Sequence, residues 1–158
     1  MKTNKARRKR WPGIHTGPLV RLLEKEYPDG IILADLAERT GISAQSLSAA
    51  FMSDNMHLSK AEAIAKALGY TLVLTYSYNG VYPDDSQYVP SGTAGNLYGI
   101  EEYGQRMNRT LHFVAASARC KRDTLAKAIK EGDIMVATLD RITRELGLEV
   151  KWTFMGGN

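Results

Sequence analysis

The chain repeats itself. Sliding its 158 residues by 78 positions lays the second half on the first without a gap. Identities fall at Leu33 and Leu111, Ala37 and Ala115, Leu47 and Leu125, Ala50 and Ala128. They continue at Ile64 and Ile142, Leu68 and Leu146, Gly69 and Gly147, and Thr75 and Thr153. Conservative pairs lie between them: Leu36 with Val114, Ile42 with Cys120, Phe51 with Ile129, Leu58 with Val136, Lys66 with Arg144, Leu72 with Val150, Tyr76 with Phe154. These positions are mostly apolar and spaced for packing, so the matches mean two copies of one small fold, at about 17–78 and 95–154.

Within the first copy, Leu33 to Ser48 sets the local structure. Leu33, Leu36 and Ala37 have helical spacing; so do Ile42, Leu47 and Ala50 beyond Gly41. A short helix, a tight turn and a second short helix follow. Gly41 takes the left-handed backbone of such a turn at little steric cost. Ser43 can cap the second helix with its side-chain oxygen. Ala37 is small where the two helices cross. A first helix is expected from Pro18 to Tyr27, since Pro suits an opening turn and Pro28-Asp29-Gly30 is a sharp stop. Gly95 to Gln105 is its counterpart. Ser59 and Glu62 have capping-box spacing for a fourth helix, with a cap nearer His57 as the alternative.

Each copy ends in an alternating run. Leu72, Leu74, Tyr76 and Tyr78 share one face, as do Val150, Trp152 and Phe154. Period two with aromatic and β-branched residues predicts a strand. A lone strand leaves its backbone groups unpaired. The two strands are therefore expected to pair as a small antiparallel ribbon, within one chain or swapped between two chains as a homodimer.

The stretch from Leu33 to Ser48, followed by AEAIAKALG from Ala61 to Gly69, resembles the lambda-repressor-like helix-turn-helix family of Cro and phage repressors. The resemblance covers about residues 17–69 and returns in the second copy. It implies a mainly α fold of two tandem helix-turn-helix lobes, each followed by a β-strand. The expected organisation is a basic N-terminal arm over 1–16, lobe 1 over 17–78, a linker over 79–94 and lobe 2 over 95–158. The linker is rich in Gly, Pro, Ser and Asp. Function is expected to be sequence-specific binding of double-stranded DNA, hence transcriptional regulation of the repressor type.

Such proteins read bases with the N-terminal end of the second helix. In lobe 1 this end carries Ser43, Ala44, Gln45, Ser46 and Ser48. Gln45 can pair with adenine, and the serines suit phosphates or base edges. In lobe 2 it carries Lys121, Arg122, Asp123, Thr124 and Lys127, whose cations suit phosphate and guanine. Lobe 2 departs from the family at the turn. Arg119 stands opposite Gly41 and Lys121 opposite Ser43, so that turn is either reshaped or mildly strained, and a lobe 2 that only packs is the alternative.

Charge sharpens the contrast. The first ten residues hold Lys2, Lys5, Arg7, Arg8, Lys9 and Arg10 and no acid. Taking those six from the chain's 21 basic residues leaves 15 against 17 acidic, a net of −2, so the basicity is a tail. Lys5, Arg7, Arg8, Lys9 and Arg10 are expected to form a nucleic-acid arm. Residues 17–76 hold five basic and seven acidic residues, and residues 95–154 hold ten and eight. The acidic first lobe leaves a second class open, a protein-binding module like the antitoxins and inhibitors of phage and mobile elements.

Other classes have little support. His15, His57 and His112 lack ligand spacing, Cys120 aligns with a core position, and no phosphate-binding glycine loop occurs, so neither enzyme activity nor a cofactor or metal is expected. One cysteine fits a reducing compartment, and no apolar stretch follows the basic N-terminus, so a cytoplasmic protein without a membrane span is expected.

Overall fold

A computed structural model describes residues 11–78, 127–128, 130–131, 133–145 and 147–156. They are mainly helical, with one two-stranded antiparallel sheet. In the first half, α1 spans Gly17–Glu26, α2 Leu33–Thr40, α3 Ala44–Ser53 and α4 Leu58–Ala67, followed by β1 at Tyr70–Tyr78. In the second half, α5 spans Val136–Glu145 and β2 Leu148–Gly156. No helix among the described residues is long and apolar enough to cross a membrane.

Local sequence explains these boundaries. Pro18 sits in the first turn of α1, and the helix closes with the Tyr27 N–H donating to Leu23. Pro28, lacking an N–H, cannot extend it. Leu19, Leu22 and Leu23 form its buried stripe. α2 ends at Gly41, whose φ is 74° and whose N–H donates to the Ala37 carbonyl at 2.9 Å. α4 departs from the capping-box expectation. Its N-cap is His57, and Ser59 is the second residue of the helix, with its N–H and hydroxyl taken by Asp133. The alternative cap near His57 is the observed one, because an acid from the other half already satisfies the free donors that a local box would serve.

The strands pair within the chain. Tyr70 faces Gly156, Leu74 faces Trp152 and Tyr78 faces Leu148. The 78-residue repeat makes Tyr70 the counterpart of Leu148, Tyr78 of Gly156 and Leu74 of Trp152. This register therefore exchanges β1 and β2 about an approximate two-fold axis through the Leu74–Trp152 pair. A second contact on the same axis joins His57 to Met135, again counterparts, in an antiparallel bridge. There Leu58 donates to Ile134 at 2.7 Å and Val136 donates to Met56 at 2.8 Å.

An isolated two-stranded ribbon is marginal in water. Here its apolar face lies on helices, β1 against α4 and β2 against α5. Leu72, Leu74 and Tyr76 are buried on that face, and Trp152 and Phe154 are half-buried. The core runs without a break from Leu19, Leu23, Leu36, Leu47 and Phe51 through Leu58 and Ile64 to Leu139 and Ile142. Each fully buried side chain of this size contributes about 1.5–3 kcal/mol.

The glycine turn between α2 and α3 makes a direct test. A Cβ at Gly41 would meet nothing within 4 Å. Gly41→Ala should therefore cost only the left-handed backbone penalty, about 1–2 kcal/mol, read as a lower urea midpoint. A much larger loss would mean that the turn carries more than backbone strain.

Candidate nucleic-acid interface

The site grows from the α2–turn–α3 segment. Thr40 locks the end of α2, its hydroxyl donating to the Leu36 carbonyl at 2.8 Å and accepting from the Ile42 N–H at 3.2 Å. Ser43 then caps α3 in extended backbone, accepting the Ser46 N–H at 3.1 Å. Its hydroxyl also donates to the Ser46 hydroxyl at 2.9 Å. A Ser cap of this kind contributes about 1 kcal/mol.

The two faces of α3 have opposite fates. Leu47, Ala50 and Phe51 point into the core. Gln45, Ser46, Ala49 and Met52 are exposed. Ser43 is exposed too, whereas Ala44 and Ser48 are half-buried, and Ala44 packs against the core cluster. The most accessible polar groups at the tip are therefore Gln45, Ser46 and Ser43, with the two serines already bonded to each other. No residue of α3 is charged. On α2 the Arg39 guanidinium leans on the Tyr27 hydroxyl at 3.4 Å, and Tyr27 donates to Asp35. Burial and the Asp35 carboxylate push the Tyr27 phenol above its usual pKa.

Of the expected second-half residues, Lys127 is exposed on a helical stretch with Lys130 and Glu131. Lys121, Arg122, Asp123 and Thr124 lie outside the described residues. So do Lys5, Arg7, Arg8, Lys9 and Arg10.

Of the expected arm over 1–16, residues 11–16 are described, and they pack on the fold. Trp11 is buried and stacks on Phe51 with ring centroids 4.6 Å apart. The Asp54 carboxylate accepts the backbone N–H groups of Ile14, His15 and Thr16 at 2.9–3.0 Å and the Thr16 hydroxyl at 2.8 Å. Residues 11–16 thus form a strap on the first half, tied down at the C-terminal end of α3. The strap also reaches the second half, where His15 Nδ1 meets Asp140 at 2.6 Å. Sequence reading passed over Asp54. A weak signal was present: offset by 78, it faces Gly132, and Asp54 has the left-handed φ of 57° that glycine tolerates best.

Compared with known proteins, the chain matches no family model, no curated protein and no solved structure.

Proposed function

We propose that the protein is a sequence-specific double-stranded-DNA-binding regulator of the repressor type, built from two tandem helix-turn-helix lobes. The observation that carries this reading is α3. Its back is held in the core by Leu47 and Phe51, its start is capped by Ser43, and Gln45 and Ser46 stand in solvent. A helix fixed in this way is suited to a major groove. Lobe 2 supplies cations that the α3 tip lacks, with Lys127 exposed at the position matching Ala49. The basic arm emerges at Trp11, at the far end of α3. Eight residues of helix span about 12 Å and ten extended residues about 33 Å, so the arm is long enough to reach a duplex bound at the tip.

A protein-binding module is the second reading, favoured by the uncharged α3 tip and the net acidity of residues 17–76. Gel shifts on random duplex DNA at several salt concentrations separate the two. Binding should weaken steeply with salt. Arg122→Ala and Lys127→Ala should each lower the salt slope by about one, and removing residues 1–10 should lower it further. No retention at low salt would overturn the DNA reading and favour a protein partner.

A further inference from the structure

The ribbon has an open side. β2 pairs with β1 along one edge, and its other edge meets no strand among the described residues. An edge left in this way carries a row of unpaired N–H and C=O groups, a template for another strand. β2 is nine residues long, contains no proline and runs against β1 without a bulge. Its backbone therefore has none of the features that block strand addition.

Burial points to the same edge. The repeat matches Leu72, Leu74 and Tyr76 of β1 with Val150, Trp152 and Phe154 of β2. The first three are buried, whereas the second three, on the same apolar face, are only half-buried. The apolar surface left over thus runs along β2. On the opposite face β2 exposes Glu149 and Lys151. Among the described residues neither of them enters an ion pair.

We propose that two copies of the chain join reversibly through this edge, β2 against β2 in antiparallel, with Val150 on the two-fold axis. An antiparallel pair of identical strands is self-complementary and closes as a dimer. Only a register centred on a residue keeps both apolar faces on one side, because a one-residue slip turns every side chain over. Centring on Val150 sets Glu149 of each copy opposite Lys151 of the other, and Leu148 opposite Trp152. Centring on Trp152 would set Glu149 opposite Met155 and Lys151 opposite Thr153, leaving both charges unmatched. Opposite charges facing each other across strands are favourable and like charges are not. A charge that guards an ordinary edge here selects one partner, a second copy in this register. The edge involved is not the one that β1 occupies, so the ribbon within each chain stays intact. The inference does not depend on the DNA-binding function proposed above.

The test is sedimentation equilibrium of the full chain between about 1 μM and 1 mM. The wild type should show a monomer–dimer equilibrium in this range. Glu149→Lys and Lys151→Glu each place like charges opposite one another twice, and each should weaken the dimer about tenfold. The two substitutions together restore the pairing and should return the dimer to within about threefold of wild type. Val150→Cys should form a disulfide-linked dimer on mild oxidation, beyond the level that Cys120 gives in the wild type, because facing residues of antiparallel strands have Cα atoms about 4.5–5.5 Å apart. A wild type that stays monomeric to about 1 mM, a dimer indifferent to both reversals, a double variant no better than the singles, or no added cross-link at Val150→Cys would each overturn the inference.

Discussion

Phe51→Ala is expected to destabilise the protein by about 3–5 kcal/mol. Phe51 has no exposed surface and sits on the inner face of α3. Its ring stacks on Trp11 at an interplanar angle of 17°, and such a pair adds about 0.5–1.5 kcal/mol beyond its buried area. The substitution leaves a cavity and removes the seat of the strap together. Urea unfolding should show the loss as a large fall in midpoint, and Trp11 emission should shift to the red before global unfolding. Phe51→Leu should recover part of the stability, because it refills volume but not the stack. A loss below about 1 kcal/mol in Phe51→Ala would mean that this corner of the core repacks freely, and that the strap is held by its polar ties to Asp54 and Asp140.

Asp54→Asn should cost about 2–4 kcal/mol. Asn tolerates the left-handed backbone nearly as well as Asp, so the change isolates the carboxylate. That carboxylate receives three backbone N–H groups and one hydroxyl, and hydrogen bonds to a charged acceptor contribute about 1.5–3 kcal/mol each without being additive. An amide nitrogen turned toward these donors is a donor itself. Burial alone would raise the Asp54 pKa, but the bonds from Thr16, His15 and Ile14 outweigh it and hold the pKa below the usual aspartate value. The sign follows from the proton balance. A carboxylate with a depressed folded-state pKa contributes its full stabilisation above about pH 4, where the unfolded chain is also ionised. It loses that contribution as the pH falls further, through the folded-state pKa. The wild-type unfolding midpoint should therefore drop on acidification below pH 4 more steeply than that of Asp54→Asn. Parallel profiles would show that the nest of donors does not depend on charge.

Both substitutions act on the same joint. Trp11 and the Ile14–Thr16 backbone meet the end of α3 opposite its exposed tip, and His15 continues to Asp140 on α5. The strap thus links the root of the basic arm to both halves. In the DNA-binding function proposed here, loosening it costs affinity as well as stability, because the arm is no longer delivered from a fixed point.

Much of the fold was legible along the chain. Pro18 and the Pro28-Asp29-Gly30 stop announced α1, and the helical spacing on either side of Gly41 announced α2 and α3. Leu72, Leu74 and Tyr76 announced β1 by strict alternation. These signals are readable because helix and strand periodicity must match a buried face within a few residues. The α3 tip was legible for the same reason: a Ser cap after a glycine turn is a local arrangement. Ala44 and Ser48 proved half-buried, since a helix end lying against its neighbour turns part of its first turns inward.

The sequence by itself determined which residues seek the interior, where the chain turns, and that matched residues recur 78 positions apart. Local periodicity and backbone preference suffice for that. The tertiary structure alone decided how the copies face each other: Leu74 against Trp152, Asp133 on Ser59, Asn55 on Ala137. It also decided that Trp11 and Asp54 bind a strap grouped by sequence with a basic tail. These partners lie about 40 to 80 residues apart, and an acid or an amide in a loop looks the same whether water or another half's helix receives it. Among the described residues, the helix starts at Ser59 and Ala137 and the edges of β1 and β2 satisfy one another across the chain, and no local signal encodes that pairing.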